Sequence, residues 1–156
     1  MIRKKLLDLG IELPTAVTPA FQYVPVTIHE RLAFVSGQLP RHGDALVTGK
    51  VGGDVDLEQA REAARLCILQ GLACLNQALG SLDRIDRILK LTGFVASAPG
   101  FNHQPKVIDA ASELLVQLFG EHGRHARSAV GVAELPRNAA VEIELIVALR
   151  SNNNEN

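Results

Sequence analysis

The chain has 156 residues, with sixteen basic and seventeen acidic side chains and a formal charge of −1. That length suits one domain, residues 1–150, able to bury roughly 70% of the surface its unfolded form exposes, followed by a disordered polar tail at 151–156. The dispersed charge and the low aromatic content, 4% with no tryptophan, disfavour a nucleic-acid stacking surface, and no apolar run approaches the ~20 residues of a membrane span.

At the N-terminus Arg3, Lys4 and Lys5 precede two leucines, but Asp8 and Glu12 interrupt the apolar stretch before a secretory signal can form. A cytoplasmic protein is expected. Two strand candidates follow, Tyr23 to Ile28 and Leu32 to Ser36, both rich in β-branched and aromatic residues. Pro25 lacks an N–H and assigns the first of them to a sheet edge. Gly37 ends the second, where the missing Cβ allows a close approach of another group.

Between Arg41 and Gly53 the glycines and Asp44 mark a turn-rich connection with one short strand near Ala45 to Val47. These glycines do not form a phosphate loop, because the required Lys and hydroxyl are missing at the right offsets. Asp56 is a helix cap, with Glu58 and Glu62 near the positive end of a helix running to Leu79 and stopped by Gly80. Leu57, Ala60, Ala64, Cys67, Ile68, Gly71, Leu72, Leu75 and Leu79 make its buried stripe. Small residues in that stripe predict close packing on a sheet. Cys67 and Cys74 stand one heptad apart in this helix and read as core thiols, without the pairing or accompanying ligands of a zinc site.

Ile85 to Val95 reads as a strand and Ala98 to Pro105 as the longest loop. A second helix then carries Val107, Ile108, Ala111, Leu114, Leu115, Leu118 and Phe119 on its apolar side, with Pro105 in its first turn and Gly120 and Gly123 at its end. The last strands are Ser128 to Glu134 and Val141 to Leu149, joined by a turn through Leu135 to Ala140 and taken as a hairpin. The pattern implies an α+β fold, a mixed sheet with two helices on one face. The other face, in a chain that is 47% hydrophobic, predicts a closed homo-oligomer.

Arg127 and Glu142 start the last two strand-like runs. A guanidinium fork matches two carboxylate oxygens and stays charged at neutral pH, so Arg127 is a candidate anchor for a small carboxylate; the competing reading is an ion pair with Glu142 or Glu144. Glu142 is a candidate for orienting water or exchanging protons if its pKa is raised. His29, His103, His122 and His125 show no close ligand spacing, so no metal is expected, and Ser36 and Ser128 lack a visible base and acid partner.

The run His125-Ala126-Arg127-Ser128-Ala129-Val130-Gly131-Val132-Ala133-Glu134-Leu135-Pro136, followed by Val141-Glu142-Ile143-Glu144, resembles the defining motif of the RidA/YjgF/YER057c/UK114 family. Tyr23 and the strand end Phe34-Val35-Ser36-Gly37-Gln38-Leu39-Pro40 extend the resemblance, which runs from about Pro19 to Leu149. It implies a chorismate-mutase-like fold and a homotrimer whose sheets close a barrel, with ligand clefts between subunits. It further implies hydrolysis of reactive enamine and imine intermediates of amino-acid metabolism to 2-oxo acids and ammonia, as by a 2-iminobutanoate/2-iminopropanoate deaminase, without a cofactor. On that resemblance Arg127 takes the substrate carboxylate, Gly37 offers a backbone contact, Tyr23 lines the pocket and Glu142 attends the water. Phe101, on the longest loop, joins the expected substrate contacts.

Three departures stand beside the resemblance. Ala129 replaces a cysteine often found two residues after the motif arginine, Ser112 lies near where short members place an aromatic, and the loop from Phe101 to Lys106 is extended. The last, with the Gly49 to Gly53 run, resembles a longer subgroup. The alternative function is a trimeric metabolite-binding or regulatory protein that recognises small carboxylates without turnover. Endoribonuclease and translation-inhibitor labels also occur in the family; the weak basic patterning here lends them no support.

Overall fold

A computed structural model describes residues 1–151, so of the polar tail expected at 151–156 all but Ser151 lies outside the described residues. The largest element is helix α2, Leu57–Leu79, and its ends are set by local chemistry. The Asp56 carboxylate accepts from the Gln59 N–H at 2.8 Å while the Gln59 side chain accepts from the Asp56 N–H at 2.9 Å. This reciprocal capping box satisfies two donors that the first turn leaves without partners. At the other end Gly80 adopts φ 78°, a left-handed conformation that costs glycine least, and its N–H donates to the Asn76 carbonyl.

Helix α3, Gln104–Phe119, buries Ile108, Ala111, Leu114, Leu115 and Leu118. Both helices lie on one face of a five-stranded sheet, α2 over β2 and β7, α3 over β5 and β6. The strands are β1 (Val26–His29), β2 (Leu32–Gln38), β5 (Ile85–Ala96), β6 (Ala126–Val132) and β7 (Val141–Leu149), in the order β1-β2-β7-β5-β6. Two short strands, β3 (Arg41–His42) and β4 (Ala45–Leu46), pair separately. As Pro25 predicts, β1 is an edge strand.

The expected hairpin between the last two strands does not form. β6 runs parallel to β5 at the sheet edge, while β7 is inserted between β2 and β5 and pairs antiparallel with both. The physical reason lies in the side chains of β7. Val141, Ile143, Leu145, Val147 and Leu149 are all buried, and only a central strand beneath α2 covers so many. A parallel β5–β6 pair also needs a long crossover, which α3 supplies. The connection from β6 to β7 is held across the end of the sheet by the 47–50 segment. Gly49 N–H donates to the Asn138 carbonyl, Ala140 N–H donates to the Val47 carbonyl, and the Lys50 ammonium reaches the Ala133 carbonyl and pairs with Glu134 at 2.9 Å.

A seven-residue helix, α1 (Ile2–Asp8), was not anticipated. Ile2 and Leu6, one turn apart, are its buried residues, and the Ile2 N–H donates to Asp83 at 2.7 Å. Cys67 and Cys74 are buried free thiols, as read.

The sheet face away from the helices carries Leu32, Phe34 and Val130, which are 37%, 43% and 43% exposed. Register puts Phe34 beside Ile146, Leu32 beside Ala148, and Phe94 between Val130 and Glu142. These side chains form two apolar groups, Leu32 and Phe34 with Ile146 and Ala148, and Phe94 with Val130, on either side of the polar row Glu144, Thr92 and Ser128.

Candidate functional site

Arg127 and Glu142 occupy opposite faces of the sheet. In the ladder Arg127 aligns with Leu91, and Leu91 with Leu145, both buried beneath the helices. Glu142 aligns with Phe94, and Phe94 with Val130, on the outer face. Side chains alternate along a strand with period two, so neither position can reach the other's face. The ion pair of Arg127 with Glu142 or Glu144, one of the readings of the sequence, is therefore not made.

Arg127 is held by α3 instead. Its Nη1 donates to Asp109 Oδ1 at 2.8 Å and to Ser112 Oγ at 3.2 Å. The Ser112 hydroxyl lies 2.9 Å from His125 Nε2, and His125 Nδ1 lies 2.6 Å from the Gly123 carbonyl. A carbonyl only accepts, so Nδ1 carries a proton, and in the neutral ring Nε2 accepts from the serine hydroxyl. The neutral imidazole this requires is favoured by burial, which lowers the His125 pKa, with the Arg127 charge adding to the effect against the Gly123 hydrogen bond. Among the described residues Arg127 Nε and Nη2 make no hydrogen bond, which leaves one edge of the guanidinium fork open.

Further along the same face, Gly131 leaves room for the Gln104 amide, which donates to Ser97 Oγ at 3.1 Å and to the Phe101 carbonyl at 2.9 Å. The Phe101 ring lies over Gly52, where a Cβ would stand 2.8 Å from its Cδ2, and meets the His103 ring edge-on at 6.0 Å. Phe101 is thus on the arginine side of the sheet, anchored between its loop and the glycine-rich connection.

Glu142 sits with Gly37. The β2–β7 register shifts between Val35 and Gln38, and in that irregular stretch a Cβ on Gly37 would lie 3.0 Å from Glu142 Cδ and overlap its carboxylate oxygen. The close approach expected at Gly37 is made by Glu142 itself. The carboxyl makes no hydrogen bond to a described residue, and its pKa is raised, first by burial and then by the charge of Glu144. Tyr23, 54% exposed, lies in the segment leading to β1. That segment is tied to the same bulge, because Ser36 Oγ donates to the Val24 carbonyl at 2.7 Å and Ser36 N–H donates to the Pro25 carbonyl at 2.9 Å.

The five candidate residues thus fall into two groups, Arg127 with Phe101 on one face and Glu142, Gly37 and Tyr23 on or near the other. Sequence reasoning missed Asp109 altogether, saw Ser112 only as a departure, and saw His125 as a metal candidate and as the first residue of the family-like run. A usable signal existed: Asp109 and Ser112 are polar residues one turn apart flanking a nearly continuous apolar helix face. No group of three or more His, Cys, Asp or Glu residues able to hold a metal occurs among the described residues.

Residues 3–149 match the family model described as "YjgF/chorismate mutase-like, putative endoribonuclease". The chain belongs to the RidA/YjgF/UK114 family. Protein TCP17 of Trypanosoma cruzi is 43% identical to this RidA-family chain over 152 residues, covering 96% of it and 95% of the relative. The crystal structure of Atu1372 from Agrobacterium tumefaciens, a protein of unknown function, superposes with a TM-score of 0.89 at 49% identity, covering 96% of this chain and 94% of that one. A 2-iminobutanoate/2-iminopropanoate deaminase of Dermatophagoides farinae is 29% identical over 141 residues, 89% of this chain and 94% of the relative. RidA-family membership supports deaminase- or endoribonuclease-like activity in general terms only.

Proposed function

We propose that this RidA-family chain hydrolyses α-imino acids to 2-oxo acids and ammonia, at a site that two copies of the chain build together. The observation that carries the reading is the placement of the two charged residues. Arg127 offers an open guanidinium edge on the helix-covered side, and Glu142 presents a carboxyl of raised pKa beside an exposed apolar sheet face. One chain cannot bring them together. A second chain packed by its outer sheet face against the α3–β6 edge of the first can, and closing that contact around a ring gives a homotrimer with three equivalent sites. The deaminase among its relatives supports the same chemistry.

In such a cleft Arg127 grips the substrate carboxylate and Phe101 closes the apolar side. Glu142 of the neighbouring copy takes a proton from water as the water oxygen bonds to the iminium carbon and the C=N electron pair moves to nitrogen. The same carboxyl then protonates that nitrogen. The C–N bond breaks as the carbinol oxygen forms the C=O bond and gives its proton back to the carboxylate, which passes it to the departing ammonia. The products are a 2-oxo acid and ammonium. A carboxyl whose pKa is raised above the ordinary 4.5 by burial and by Glu144 is the stronger base for the first half of this exchange. Holding an already labile imine beside an oriented water is an effect of proximity, and no cofactor is required.

The test is to generate 2-aminoacrylate or 2-iminobutanoate in situ and follow 2-oxo acid release. Wild type is expected to accelerate it, with Glu142→Gln lowering the rate about a hundredfold and Arg127→Ala abolishing saturation by substrate. No acceleration over water for several imines sinks the enzyme reading. One observation favours the alternative of a carboxylate-binding protein without turnover: Arg127 already spends Nη1 on Asp109 in its own chain. Arg127-dependent binding of 2-oxo acids with no hydrolysis selects that alternative.

A further inference from the structure

The pairing of Arg127 with Asp109 is more than an arginine needs in order to hold a carboxylate. The two side chains are 24% and 48% exposed and 2.8 Å apart, so the charge pair lies at the surface of the site and not sealed within the core. Asp109 uses Oδ1 for Arg127, and Oδ2 makes no hydrogen bond to a described residue. Asp109 and Ser112 also line an open groove of about 440 Å³ along α3. The other charged residues of that groove are already matched, Glu113 to Arg61 at 3.1 Å and Arg124 to Glu121 at 3.2 Å. Arg127 itself does not line that groove, so it is the Arg127–Asp109 pair at the groove's rim that presents a cationic edge and an anionic oxygen side by side, with little net charge.

Such a pair discriminates by charge pattern. A plain carboxylate seated on Nε and Nη2 of Arg127 gains the fork but lies near the like charge of Asp109, and the neutralised pair does little to draw an anion from solution. A ligand with a protonated nitrogen on the carbon next to its carboxylate meets both groups with opposite charges. We propose that Asp109 is the specificity-determining residue of this site, selecting α-iminium and α-ammonium acids over plain carboxylates such as 2-oxo acids. The inference rests on the reading of Arg127 as a carboxylate anchor. It adds a consequence for turnover: hydrolysis removes the nitrogen as ammonium, so the 2-oxo acid product is left facing Asp109 without its cation and is released in preference to substrate.

The test compares Asp109→Asn with wild type by calorimetric titration of pyruvate and 2-oxobutanoate against alanine and 2-aminobutanoate. Asparagine keeps an oxygen to accept from Nη1 but removes the charge. The expected result is that Asp109→Asn tightens 2-oxo acid binding and weakens amino-acid binding, each by about fivefold, the range of a partly exposed charge pair. Ser112→Ala serves as the control for loosened positioning, because it weakens both ligand classes alike and leaves their ratio unchanged. Binding of both classes that requires Arg127 but keeps the same ratio in Asp109→Asn overturns the inference and leaves the anchor intact. Binding of neither class, or binding indifferent to Arg127→Ala, removes the anchor and the inference with it.

Discussion

Gly37 and Glu142 are coupled by space. A methyl group at Gly37 overlaps the Glu142 carboxylate, so Gly37→Ala is expected to expel that carboxyl from its place and to cut imine hydrolysis nearly as far as Glu142→Gln does, with little loss of stability because the bulge lies at the end of β2. Hydrolysis rates beside melting temperatures check both halves. Glu142 itself carries a cost. Its folded pKa is raised above the ordinary 4.5, so its contribution to stability is full below the unfolded value and declines as pH rises through the folded one. Glu142→Gln is therefore expected to raise the melting temperature at neutral pH, by about 1–2 °C for a partly solvated group in a chain of this size, and to lose that advantage in acid. His125 has the opposite sign of shift and the opposite pH dependence. Its pKa is lowered below 6.5, so the unfolded chain takes up the proton first as pH falls. Stability is full above 6.5 and is lost as pH falls through the folded value. Thermal melts between neutral pH and mild acid are expected to show this loss in wild type and a smaller one in His125→Gln.

At the scale of elements, the legible parts were those whose signals are local. The ends of α2 followed from Asp56 and Gly80, and the period-two alternation of β7 separated Glu142 and Glu144 from the buried Val141, Ile143 and Leu145. The neighbour of β6 was not local information. The turn through Pro136 resembles a hairpin connection, yet the burial demanded by β7 and the crossover through α3 place β5 between the two strands. That error concealed the partner of Arg127, since a hairpin points to Glu142 whereas the parallel pair places Arg127 under α3, next to Asp109. Helix α1 was missed because two buried residues in seven give too short a pattern to weigh against the basic start. Gly93 sets how closely α3 approaches this edge of the sheet, for a Cβ there would stand 2.5 Å from Ile108 Cδ1. Gly93→Ala is expected to destabilise by about 1–3 kcal/mol, the usual cost of overpacking, and, by lifting α3, to weaken carboxylate binding through Arg127. Chemical denaturation and ligand titration separate these two effects.

At the scale of the whole molecule, the opposite placement of Arg127 and Glu142 turns a question about chemistry into one about assembly. If each site takes Arg127 from one copy and Glu142 from the next, two inactive variants can rescue each other. Arg127→Ala and Glu142→Gln chains, unfolded together in equal amounts and reassembled, give interfaces in which the first supplies an intact Glu142 and the second an intact Arg127. Random association around a cyclic oligomer makes about one interface in four complete, so the mixture is expected to recover about a quarter of wild-type imine hydrolysis. If both residues served one chain's own site, every site in the mixture would carry a lesion and no activity would return. The control replaces Phe34 on the outer sheet face with lysine, a charge on a surface that the assembly buries. That change is expected to dissociate the oligomer on size-exclusion chromatography and to abolish complementation while each chain keeps its fold.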